Sequence, residues 1–103
     1  MLSKYLAYCL FTAAATCLLT NGSFAYTGQE LAIKAKITID EARAIALKAR
    51  PGTVTDEELE KEKGGSGLRY SFDIKSGNVA YEVGIDAQTG KVLENSKEGR
   101  HPD

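Results

Sequence analysis

Few residues in this chain have the type and spacing that covalent chemistry demands. The one histidine, His101, has the right side chain for a general base or a metal ligand, but it stands beside Pro102 at the end of a polar run. No neighbouring element would orient it there, so it reads as part of a flexible tail. The acidic run Asp56, Glu57, Glu58, Glu60 and Glu62 carries enough carboxylate oxygen for Ca²⁺. A calcium cage folds its ligands back around the ion, whereas this run is extended, and a solvated edge face is the plainer reading. Asp86-Ala87-Gln88-Thr89-Gly90 begins like a calcium loop but lacks the further acidic ligand and the terminal glutamate. It reads instead as a turn in which Asp86 bonds the backbone ahead and Gly90 takes a left-handed conformation. Gly64-Gly65-Ser66-Gly67 lacks the lysine and hydroxyl residue of a phosphate loop, and no parallel strand-to-helix unit surrounds it, which leaves a hairpin. No catalytic residue, metal site or cofactor is expected, and the chain is not expected to be an enzyme.

The elements that would carry any site begin after a leader. Residues 1–25 run from a single basic residue, Lys4, through an apolar stretch from Tyr5 to Leu19 and a polar break at Asn21-Gly22 to Ser23-Phe24-Ala25. This is the order of a secretory signal, with small residues three and one positions before a cut after Ala25. The alternative of a membrane anchor asks for about 20 apolar residues and a basic stop signal, and neither is present. Lipid attachment at Cys17 is disfavoured by the preceding Ala14-Ala15-Thr16 and by the apolar Leu18-Leu19 that would follow. Cys9 and Cys17 are the only cysteines, so the processed chain, expected in the periplasm or medium, holds no thiol and relies on packing. Of the 13 basic residues only Lys4 lies in the leader, which leaves 12 against 14 acidic ones. That balance argues against nucleic acid as a partner.

After a lead-in over 26–36, for which strand and short helix both fit, the signals sharpen. Thr38-Ile39-Asp40-Glu41 is a capping box with Ile37 and Ala42 at the staple positions, and Pro51-Gly52 supplies the stop. Ile39, Ala42, Ile45, Ala46 and Ala49 recur at helical spacing as a narrow apolar stripe, whose alanines suit a helix laid close on a sheet. Thr53 to Lys63 is ambiguous, since Thr55-Asp56-Glu57-Glu58 is a second capping box. A helix there would bury almost nothing besides Leu59, so a polar edge strand is expected, with a bulge that turns both Val54 and Leu59 inward. Leu68, Tyr70, Phe72 and Ile74 alternate with polar residues, as do Val79, Tyr81, Val83 and Ile85, and Ser76-Gly77-Asn78 joins the two runs as a hairpin. A short strand Val92-Leu93-Glu94 follows the Asp86 turn, and the tail from Asn95 is polar and frays. The expected fold class is α+β, one helix on a small antiparallel meander, with residues 37–95 as the domain and 96–103 as a tail.

In that order and spacing, the helix ITIDEARAIALKARPG, an acidic strand, the strand LRYSFDIK and the strand-turn-strand NVAYEVGIDAQTGKVLE resemble the PepSY domain from Ile37 to about Asn95. The resemblance implies a helix packed on an antiparallel sheet. It also implies the role proposed for the family, inhibition or modulation of peptidases by propeptides and by small stand-alone secreted or membrane-linked proteins. With no peptidase domain attached, the expected partner is another extracytoplasmic protein; an accessory or sensor subunit of an envelope complex is the alternative. Tyr70, Phe72 and Tyr81 share parity with Ile74, Val83 and Ile85, and so belong beneath the helix rather than in a stacking site. Arg69, Ser71, Asp73 and Glu82 are left on the other face of the sheet, as candidate partner contacts or as an ordinary face turned to water.

Overall fold

The computed structural model describes residues 25–98; the leader over 1–24, His101 and the rest of the tail beyond Glu98 lie outside the described residues. The capping box forms as its spacing requires. The Thr38 hydroxyl accepts from the Glu41 N–H at 3.1 Å, and the Glu41 carboxylate accepts from the Thr38 N–H at 2.9 Å. Helix α1 then runs Ile39–Ala49, with Asp40 and Glu41 in its first turn and Lys48 in its last, where they oppose the helix dipole.

Four strands follow as β1 (Thr53–Lys61), β2 (Leu68–Ser76), β3 (Val79–Asp86) and β4 (Val92–Lys97). They form one antiparallel sheet in the order β1-β2-β3-β4. The ambiguous segment is therefore a strand. Its pairing with β2 slips between Val54 and Asp56, so that Val54 lies opposite Ile74 and Leu59 opposite Tyr70, both facing inward. One extra residue restores the parity, as a bulge does. The last strand is longer than Val92-Leu93-Glu94: Asn95, Ser96 and Lys97, expected in the fraying tail, pair with Val83, Glu82 and Tyr81.

The inner face of the sheet meets α1. Ala42 and Ala46 are fully buried against Phe72, Ile74, Val83 and Ile85, with Leu59, Leu68, Tyr70 and Ala87 completing the core. Alanine at the contact lets the helix approach closely, which suits the narrow stripe. Ile39, Ile45 and Leu47 flank the core and are only partly buried. Tyr81 sits at the rim, where the Arg50 guanidinium stacks 3.7 Å from its ring centroid. Asn95 reaches the end of the helix, accepting from Arg50 Nε at 3.1 Å and donating to the Ala49 carbonyl at 3.4 Å.

The lead-in takes neither form as a full element. Thr27 makes one parallel bridge with Glu58, and Gln29–Lys34 is a short 3₁₀ helix. The Thr27 carbonyl accepts from the Leu59 N–H at 2.9 Å, so this strap occupies part of the outer edge of β1. Gly28 makes the approach possible. At φ +85° it is left-handed, and a Cβ there would run into the carbonyl oxygen of Leu59.

Candidate partner-binding face of the sheet

Strand alternation places Arg69, Ser71, Asp73 and Glu82 on the face opposite α1, as expected, but it does not leave all of them open to water. Arg69 is 8% exposed and Ser71 4% exposed. Each is covered by its neighbours across the strands. The Ser71 hydroxyl donates to Glu60 Oε2 at 2.8 Å. Arg69 lays its stem over Gly84, donates to the Lys63 carbonyl at 3.1 Å and to Glu94 at 3.4 Å, and lies 3.9 Å from Glu62. A Cβ at Gly84 would come within 2.9 Å of Arg69 Cδ, so the missing side chain is what seats the arginine. The expectation that Arg69 and Ser71 face water is corrected: Arg69 clamps the β1–β2 connection to β3 and β4, and Ser71 holds an edge glutamate.

Asp73 and Glu82 are half-buried and lie directly opposite each other on β2 and β3. Asp56 on β1 stands opposite Asp73, and Ser96 on β4 stands opposite Glu82. Glu58 and Glu60 from β1 and Glu94 from β4 share the face, which is therefore strongly acidic around one buried arginine. The carboxylates tune one another. Burial first, then the charges of Glu94, Asp73, Glu98 and Glu60, push Glu82 up to about 7. Asp73 is likewise raised by burial and by Glu98, Asp56 and Glu58. Glu60 is raised by burial and its acidic neighbours, against the hydrogen bond from Ser71.

The acidic run of β1 is split by the strand. Asp56, Glu58 and Glu60 point to this outer face, whereas Glu57, opposite Phe72, points to the helix side. There Arg43 Nη2 donates to both Glu57 oxygens, at 2.9 and 3.1 Å, while Nη1 reaches Asp40 at 2.8 Å. This fork pins α1 to β1 beside an open groove of about 750 Å³ bordered by Tyr26, Lys36, Arg43, Glu57 and Tyr70. The Tyr70 hydroxyl donates to the Ile37 carbonyl at 2.8 Å, and burial followed by the neighbouring Tyr26 pushes its pKa up to about 12.

The Asp86 turn is the site that residue reading only half exposed. The Gln88 and Thr89 N–H groups donate to Asp86 Oδ1 at 2.8 and 3.2 Å, and Gly90 is left-handed, as the turn requires. Beyond that, Ser66 in the glycine-rich hairpin donates to the same carboxylate through its N–H at 2.7 Å and its hydroxyl at 2.8 Å. Asp86 is almost fully buried; burial works against its charge, but the hydrogen bonds from Gln88, Ser66 and Thr89 win and hold its pKa below the usual carboxylate range. A serine twenty residues upstream carries no periodic signal, so only the fold discloses the pair.

With this arrangement in place, the family model for the peptidase propeptide and YPEB domain, PepSY, matches residues 36–95. The chain belongs to the PepSY family. The matched span takes in all of α1 and β1 to β3 and the first part of β4, so the family's unit is the helix and sheet described above. No curated protein and no solved structure matches the chain. PepSY domains are generally non-catalytic propeptide or regulatory modules of extracytoplasmic proteins. No helix among the described residues is long and apolar enough to cross a membrane.

Proposed function

We propose that this PepSY chain is a non-catalytic protein-binding module that acts outside the cytoplasm and modulates a separate peptidase, after loss of a leader cut behind Ala25. The observation that carries the reading is the match of a peptidase-propeptide domain to residues 36–95, on a sheet whose second face has no covering layer among the described residues. The outer sheet face supplies a rigid surface, and Asp73 and Glu82, with Asp56, Glu58 and Glu94 around them, offer it carboxylates. A partner presenting lysine or arginine side chains complements that face. Among the described residues nothing pairs with the outer edge of β4, which suits docking by strand addition, whereas the strap at Thr27 already occupies part of the β1 edge.

Crosslinking the tagged protein within its own cell envelope, with mass spectrometry of the captured proteins, tests the reading. Recurrent capture of a peptidase, whose activity then changes on adding the purified chain, is the expected result. A reproducible partner set without any peptidase overturns modulation and favours an accessory or sensor subunit. Mass analysis of the purified chain checks the leader at the same time, with Tyr26 expected as its first residue.

A further inference from the structure

The outer face of the sheet carries like charges in positions where strand geometry holds them together. Asp56, Asp73 and Glu82 form one rung across β1, β2 and β3, each directly opposite the next. Directly opposed side chains in an antiparallel pair have Cβ atoms only about 4.5–5.5 Å apart, and like charges there are destabilising. The backbone fixes this spacing, so within the chain by itself the carboxylates relieve it by side-chain rotation or by taking up protons.

The surroundings add to the repulsion. Toward this rung face Glu58 and Glu60 from β1, Glu94 from β4 and Glu98 just beyond it, while Ser96 stands opposite Glu82. The cations are placed elsewhere. Arg69 is four residues from Asp73 along β2, engaged with Glu94, Glu62 and the Lys63 carbonyl, and Lys75 is two residues the other way, between Thr53 and Ala80. Among the described residues, Asp56, Asp73 and Glu82 take part in no ion pair.

We propose that this carboxylate rung is a proton-operated control on the stability of the domain, which tightens the sheet in mildly acidic surroundings and loosens it as the rung becomes fully ionised. The unfolded chain separates these groups, so the repulsion belongs to the folded state alone. The direction follows by linkage. Glu82 titrates near 7 in the fold and near 4.5 when free of it, so between those values the folded chain holds a proton that the unfolded chain has released. Stability from this group is greatest at and below about pH 4.5, falls as pH rises to about 7, and is level above that.

The test compares thermal unfolding of the purified chain at pH 5 and pH 8 with that of Glu82→Gln and of Glu30→Gln, an equal charge change away from this face. The wild type is expected to lose roughly 4–8 °C in Tm at the higher pH, allowing for screening at this half-exposed site. Glu82→Gln is expected to lose less than half as much and to melt above the wild type at pH 8, while Glu30→Gln keeps the full fall. A wild type with no fall, or a Glu82→Gln variant with an undiminished one, overturns the proposal. If Glu82→Gln does not fold, the carboxyl carbon of Glu82 is titrated by NMR in the wild type. A midpoint above about 6 sustains the proposal, and one near the ordinary glutamate value of about 4.3 overturns it.

Discussion

Gly28 and Phe72 show how differently single residues hold this fold. Gly28→Ala places a methyl group on the Leu59 carbonyl at a left-handed φ, so the strap must lift from β1 or the backbone must strain. The left-handed conformation alone costs a non-glycine residue about 1–2 kcal/mol, and the expected loss in denaturant unfolding is at least that. Phe72 is fully buried between α1 and the sheet, and Phe72→Ala is expected to cost about 3–5 kcal/mol. Ile45 lies on the predicted apolar stripe of α1 but is only partly buried, so Ile45→Ala is expected to cost clearly less when measured in parallel. The stripe identifies which side of the helix faces inward; depth depends on which residues lie over the centre of the sheet, and there α1 places Ala42 and Ala46. Arg69 carries the same lesson on the outer face. Its parity was readable, whereas its burial depends on Gly84, fifteen residues on, having no side chain.

At the scale of elements, the local signals that come with their own stereochemistry were legible and the others were not. The capping box of α1 is written in four consecutive residues, and it forms. Thr38→Ala removes the acceptor of the Glu41 N–H and is expected to cost about 1 kcal/mol by thermal or denaturant unfolding. The equal-looking box at Thr55 does not start a helix, because the apolar Val54 and Leu59 gain more by turning into the core through a bulge than the segment gains from helical propensity. The extension of β4 through Lys97 was hidden by composition. Asn95, Ser96 and Lys97 are polar because this is a short edge strand with little to bury, and Asn95 spends its amide on the end of α1 instead. The lead-in was undecidable for a similar reason, since a strap of one bridge and a short 3₁₀ helix has no period to display.

For the whole molecule, two carboxylates set opposite limits on the pH range of the fold. Glu82 favours mild acid, while Asp86 resists strong acid. Because the folded fold holds Asp86 below its ordinary pKa, its contribution is present above the unfolded value of about 3.9 and is lost as pH falls through the folded value. Thermal scans from pH 2 to 5 are expected to show a steep acid limb in the wild type, and a shallower one in Asp86→Asn, which begins from lower stability at neutral pH. The candidate partner surface follows the same division of legibility. Asp73 and Glu82 were placed on the outer face by alternation alone, but the carboxylates that join them from β1 and β4 required the register of the whole sheet.

That register has one further consequence, for the speed and order of assembly. In this sheet the order of strands in space is their order along the chain, so every pairing joins neighbours in sequence and closes only a short loop. Each hairpin is able to form as soon as its second strand is available, without waiting for a distant partner. The strap at Tyr26 and Thr27 is the exception, because it needs Leu59, some thirty residues later, to exist as a strand. The strap, although it precedes β1 in the chain, therefore waits on the edge it covers, and that part of the edge stands open while the hairpins close.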